Sequence, residues 1–222
     1  MRGKDRKLLA ATAGSGFAAA AYFLLVRRWH LRWGATDEEV ARAMPLDERI
    51  PRPTYVTNRA ITIRAAPERV WPWLAQMGEL PRGGFYSYAP VERLLKLKVE
   101  NATRILPDCQ HLEVGQALDH AGTMVVQEVE PNRHLVLGPP PGSGLKTTWA
   151  LGLYETPGGD TRLVSRCRAW LPRTPKGMLW LMMLDPGQFV MERKMLLEIR
   201  RLVESAEADA EAQADAEAET KR

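Results

Sequence analysis

Thr57-Asn58-Arg59-Ala60-Ile61-Thr62-Ile63-Arg64 runs into Ala66-Pro67-Glu68-Arg69-Val70-Trp71-Pro72-Trp73-Leu74-Ala75-Gln76-Met77-Gly78, and the apolar period changes from two to helical within two residues. The first part predicts a half-buried strand over Tyr55 to Arg64, with Val56, Ile61 and Ile63 apolar and a bulge near Asn58. In the second, Pro67 suits a first helical turn, and Val70, Trp71, Leu74 and Met77 fall on one helical face. Pro72 removes a hydrogen bond inside that helix, and Gly78 suits its C-terminal cap. A glycine-aromatic segment, Gly83-Gly84-Phe85-Tyr86-Ser87-Tyr88, comes next. Pro90 then opens a second short helix carrying Val91, Leu94 and Leu95.

Downstream the chain reads as strands separated by turns. Thr123 to Val129, His134 to Leu137, Lys146 to Tyr154 and Thr161 to Trp170 alternate, and Pro157-Gly158-Gly159-Asp160 joins the last two as a hairpin. A further strand is expected near Gln110 to Val114. The end reads as a long helix, with Asp185 as N-cap, Pro186 in the first turn, and Met191, Met195, Ile199 and Leu202 at helical spacing. The whole is α+β: an antiparallel sheet of six or seven strands with a long C-terminal helix.

Four stretches are expected: a membrane anchor over 1–32, a linker over 33–54, the folded domain over 55–204, and an acidic, Ala-rich tail over 205–222. Leu8 to Val26 is uncharged and 19 residues long, enough to cross a hydrocarbon core of about 30 Å. Arg2, Lys4, Arg6 and Lys7 precede it, and Arg27, Arg28 and Arg32 come after. The expectation is a single-pass transmembrane helix at the cell membrane, with Trp29 and Trp33 near the interface. A cleaved signal and a surface-lying helix are the alternatives. Without a disulfide pattern, the soluble domain is expected to be cytoplasmic. In the linker, Thr36 is placed to cap a short helix beginning Asp37-Glu38-Glu39-Val40, and Pro45, Pro51 and Pro53 exclude any regular element after it.

The 222 residues carry a formal net charge of +4. Seven acidic residues lie after Val203, so 1–203 holds 29 basic and 20 acidic side chains. A basic body suits an anionic membrane or anionic ligands. No Lys/Arg block alternates with aromatics, so nucleic acid is not an expected partner. Cys109 and Cys167 form no C-x-x-C pair, and His30, His111, His120 and His134 show no ligand spacing. No metal is therefore expected.

The element order resembles the helix-grip fold of the START-like, or SRPBCC, superfamily, which includes polyketide-cyclase-like members. Trp33-Gly34-Ala35-Thr36-Asp37-Glu38-Glu39, Ala66 to Leu74, Gly84-Phe85-Tyr86-Ser87-Tyr88 and Met191-Glu192-Arg193-Lys194-Met195-Leu196 resemble a bacterial subgroup of unassigned function. Ala89-Pro90 stands where relatives often carry Asp-Trp. The resemblance implies a sheet wrapped around the long helix, an apolar ligand between them, and no common cofactor or catalytic residue.

Candidate ligand-contacting residues follow from chemistry. Tyr86 and Tyr88 share a face if their segment is extended, and both offer hydroxyls. Trp149 is a candidate cavity wall. Met182 and Met195, with Met183 and Met191, suit an adaptable apolar pocket. Glu92 and Arg104 are candidates to orient a head group. Asp108, His111 and Glu113 could serve acid-base work. No Ser/His/Asp or Cys/His set is visible in sequence. The expected function is membrane-anchored binding of a hydrophobic small molecule or lipid. A polyketide cyclase/dehydratase-like enzyme and a non-catalytic scaffold are the alternatives.

Overall fold

The structure is a computed structural model. It describes residues 26–88 and 98–220, without the side chains of 175, 176, 178–180, 182–184, 211, 215, 218 and 220. Among these the fold is α+β. Five antiparallel strands, β1 (Tyr55–Ile63), β2 (Val125–Glu130), β3 (His134–Gly138), β4 (Thr147–Glu155) and β5 (Thr161–Ala169), form one sheet in the order β1-β5-β4-β3-β2. Helices α1 (Arg27–Leu31), α2 (Asp37–Ala41) and α3 (Pro67–Ala75) flank it, and α4 (Pro175–Thr220) closes the chain.

The strand count is five, not six or seven, among the described residues. Gln110 to Val114 forms no strand. The turn Pro107–Cys109 precedes it, and pairing beside β2 shrinks to one bridge, Ala117 with Val125. β1 pairs with β5 in unbroken register from Tyr55–Ala169 to Ile63–Thr161, so the bulge expected near Asn58 is absent; the sheet has one in β2, between Val126 and Glu128. The predicted helix after Pro90 lies outside the described residues, as does Leu8 to Val26 apart from Val26 itself. No helix among the described residues is long and apolar enough to cross a membrane.

Strand alternation sends Tyr55, Thr57, Arg59, Ile61 and Ile63 to one face and Val56, Asn58, Ala60 and Thr62 to the other. On the inner face, Ile61, Ile63, Leu135, Leu137, Leu151, Leu153 and Leu163 pack against Val70, Leu74 and Met77 near α3. Met195, Leu196, Ile199, Leu202 and Val203 of α4 complete this core. Each such side chain contributes about 1.5–3 kcal/mol by leaving water.

The outer face is covered too, by the segment expected to be a linker. Thr36 caps α2 as predicted: its Oγ1 accepts from Glu39 N at 3.2 Å, while its own N–H donates to Glu39 Oε2 at 2.8 Å. Met44 is 3% exposed, packed with Ala60, Val136, Ala150 and Val164. Arg166, buried on β5, ties the layer down. It donates to Asn58 Oδ1 (2.5 Å), Arg42 O (2.7 Å), Asp47 Oδ2 (2.6 Å), Glu39 O (2.8 Å) and Val40 O (3.1 Å).

The C-terminal helix begins earlier than expected. Thr174 Oγ1 accepts from Gly177 N at 3.1 Å and Pro175 follows the cap, the arrangement expected of Asp185 and Pro186. Asp185 instead lies within α4, its carboxylate spent on partners from β1 and α1. The acidic tail is helical to Thr220, and Glu204 and Glu207 meet Arg64 and Arg69.

Arg166→Met should lower unfolding free energy by about 3 kcal/mol, because several carbonyls and a carboxylate lose their buried donor. A chain starting at Tyr55 should fail to unfold cooperatively in urea. Parent-like midpoints for both would mean the 33–54 layer contributes nothing.

Candidate functional site

The sequence candidates do not converge. Tyr86 has φ 57°, so its segment is not extended and the shared face with Tyr88 is lost. Tyr86 is fully buried, its hydroxyl accepts from Gln76 Nε2 at 2.7 Å, and its ring meets Trp73 edge-on. Burial holds the phenol well above its ordinary pKa. Tyr88 is exposed. So are Arg104, Asp108, His111 and Glu113. Met195 is core. Glu92 and the side chain of Met182 lie outside the described residues. Trp149 is half-buried and donates from Nε1 to Ser165 Oγ at 2.8 Å.

Trp149 leads to a polar cluster between the sheet and the first half of α4. β1 contributes Tyr55, Thr57 and Arg59; β5 contributes Ser165 and Cys167; α4 contributes Asp185, Gln188, Phe189 and Glu192; α1 contributes Arg27 and His30. Residues 185, 188, 189 and 192 share a helical face, and 55, 57 and 59 a strand face. Asp185 Oδ1 accepts from Tyr55 Oη at 2.8 Å and lies 3.0 Å from His30 Nε2; Oδ2 accepts from Arg27 Nε at 2.9 Å. Tyr55 Oη is also 2.5 Å from Gln188 Oε1. His30 stacks on Phe189 at 5.2 Å.

Arg59 is fully buried and Glu192 is 5% exposed. Arg59 Nη1 donates to Glu192 Oε2, its Nε donates to His30 O at 3.1 Å, and its guanidinium lies 5.3 Å over the Phe189 ring. Among the described residues, Arg59 Nη2 and Glu192 Oε1 make no hydrogen bond of good geometry, although the Ser165 hydroxyl is close enough to favour the Glu192 carboxylate. Buried polar atoms are nearly always paired, and each orphan costs about 1–3 kcal/mol. A guanidinium N–H without an acceptor and a carboxylate helped only by Arg59 and Ser165 therefore sit in the same buried place. Beside them, Tyr55, Cys167 and Ala169 form an apolar cluster with Leu31, Leu171, Leu181 and Trp149.

Burial raises the Glu192 carboxyl above its ordinary range, outweighing the opposing Arg59 charge. Burial, with Glu192 adding to it, pushes the Cys167 thiol to about 11, so it is no thiolate nucleophile at neutral pH. Burial lowers His30 against the pull of Asp185. The arrangement sets charged, hydrogen-bonding groups directly against an apolar cluster. No three His, Cys, Asp or Glu among the described residues are grouped to hold a metal ion. Two open grooves lie elsewhere. One of about 360 Å³ runs along Pro139–Thr148 beside Arg49, and one of about 510 Å³ lies at His111–Gln116.

Sequence reading missed Arg59 and Glu192. The signal was there: Arg59 has the parity of Ile61 and Ile63, and Glu192 lies on the face of Met195 and Ile199.

No family model matches the chain, and no curated protein matches it. Solved structures similar to it include a protein from Mesorhizobium loti, with 19% identity, 68% of this chain and 98% of that one covered, and a TM-score of 0.37. One from Deinococcus radiodurans has 16% identity, coverage of 68% and 99%, and a TM-score of 0.38. One from Nitrosospira multiformis has 17% identity, coverage of 66% and 94%, and a TM-score of 0.39. At these values no ligand or activity carries over.

His30 yields a prediction. Its folded pKa lies below the ordinary 6.5, so below that pH the unfolded chain takes up a proton that the folded chain resists, and stability falls until the folded pKa is passed. Urea titrations from neutral to mildly acidic pH should show a smaller acid loss in His30→Gln than in the parent. Equal losses would mean that the folded ring protonates normally.

Proposed function

We propose that this protein binds a hydrophobic small molecule or lipid between its sheet and the first half of α4, as a START-like/SRPBCC domain of the helix-grip kind. Leu8 to Val26 holds it in the membrane as a single-pass anchor, with the soluble domain on the cytoplasmic side. The observation carrying the binding reading is the Arg59–Glu192 couple, buried, incompletely hydrogen-bonded and flanked by the apolar Tyr55, Cys167, Leu171 and Leu181 cluster. A ligand with an apolar body and a polar end group completes both sets of contacts at once. The polyketide cyclase/dehydratase-like reading is favoured by one observation, the raised pKa of buried Glu192, as an internal acid would need.

The test compares the full chain with Arg59→Met/Glu192→Met. Removing both charges together avoids leaving one buried and unpaired, and the loss of the Arg59 Nε bond to His30 O is monitored by the urea midpoint of the double variant. Both proteins are purified from membranes, extracted with organic solvent, and analysed by mass spectrometry. The parent should carry one apolar compound class enriched at least tenfold over the bulk membrane extract, and the double variant should lose the enrichment. Identical extracts matching the bulk membrane would overturn the binding reading.

A further inference from the structure

One end of the sheet differs from the other in chemistry. At it β1 begins, β5 ends, β4 begins and β3 ends, since Tyr55 pairs with Ala169, and Ala169 with Thr147. The segments there are 51–54, 139–146 and 170–174. The chain enters at the same level: Arg27 and Tyr55 share the carboxylate of Asp185 at 2.9 and 2.8 Å, and Leu31 packs with Tyr55, Ala169 and Leu171. Residues 26–29 therefore belong to this end.

These four segments contain Arg27, Arg28, Arg52, Lys146 and Arg173 and no Asp or Glu. Arg27 is engaged with Asp185, while Arg28, Arg52, Lys146 and Arg173 are exposed. Large apolar side chains stand in solvent among them: Leu145 is 66% exposed, Trp29 56%, Trp170 46% and Val26 44%. Lys146 Nζ lies 5.2 Å over the Trp170 ring. Asp119, beside the start of β2, is buried and spent on Thr123 and Met124.

The opposite end is mixed in sign: Arg64, Arg69 and Arg133 stand there against Glu204, Glu207 and Glu130. There Glu130, Glu155 and Asp160 mark the strand ends and the β4–β5 turn, and α4 leaves past Glu204 and Glu207 into its acidic tail.

We infer that the end carrying Leu145, Lys146, Trp170 and Trp29 docks on an anionic lipid bilayer. Three observations select that occupant. Exposed tryptophans and a leucine ringed by lysine and arginine match an interface where apolar groups enter the acyl boundary and cations meet headgroups. The single sign of these four segments complements anionic lipid. The chain also arrives at this end directly from the uncharged run Leu8 to Val26. This surface lies beside the Leu171 and Leu181 flank of the internal cluster, so an apolar ligand would pass between bilayer and interior at this end.

Nitroxide scanning of the full chain tests it. Cys109 and Cys167 are buried, so label goes to introduced thiols at Leu145→Cys and, at the far end, Glu155→Cys. Each is reconstituted into phosphatidylcholine vesicles with and without phosphatidylglycerol. At 145, collisions with oxygen should exceed those with a water-soluble nickel chelate when phosphatidylglycerol is present; at 155 the chelate should dominate in both. Lys146→Glu with Arg173→Glu should return the 145 label to water. Water-like collision rates at both positions would overturn the inference, as would a 145 label shielded from both reagents, the mark of a protein partner. A chain that leaves the vesicles altogether would remove the anchor and this docking face together, while ligand recovery would still judge the binding reading separately.

Discussion

A guanidinium taken out of water costs several kcal/mol unless it is paired and hydrogen-bonded, and this sheet takes out two. Arg59 is buried on the inner face and Arg166 on the outer, on neighbouring strands. Neither finds its anionic partner within the sheet. Arg59 meets Glu192, 133 positions later, and Arg166 meets Asp47, 119 positions earlier. The helix that closes the chain and the segment that precedes β1 are thereby bound to opposite faces of one strand pair. Hydrophobic burial supplies most of the stability on both faces, but it is not directional. The arginines fix where α4 and the 33–50 layer sit.

The two couples are satisfied to different degrees. Arg166 spends its donors on three carbonyls, one amide oxygen and a carboxylate, whereas Arg59 Nη2 finds no acceptor among the described residues. The two arginines are thus equally buried and unequally hydrogen-bonded. Cys167, with its thiol pKa raised by burial, and the Tyr55–Asp185 bond lie beside the Arg59–Glu192 couple.

Much of the sheet was legible because period-two alternation and turn residues are local signals. The β4–β5 hairpin falls within a residue of expectation at each end, and the Thr36 cap was readable because a capping box spans only four positions. What was not legible depends on distant contacts. Asn58, Thr62 and Arg166 look like the solvent side of a strand until a remote segment covers them. Asp185-Pro186 carries the local signature of a helix start, but Thr174-Pro175 carries it too, and the apolar residues between them let the helix run through. The candidate site failed more completely. Tyr86 and Tyr88 were grouped on an assumed extended backbone that a positive φ removes, and Arg104 reads as a ligand group only if buried, which it is not. Ranking charged residues by type overlooked parity, which marks Arg59 as inward.

The last part of α4 extends past the domain. Beyond Glu207, whose partner is Arg69, thirteen more residues stay helical to Thr220, which at 1.5 Å per residue is a rod of about 20 Å. Acidic residues recur along it at 207, 209, 211, 215, 217 and 219, several of them four apart. Like charges four apart repel by a few tenths of a kcal/mol per pair, and no apolar face is present to offset this. Low ionic strength therefore favours fraying of this rod from its tip, and added salt, by screening the repulsion, favours its helical form.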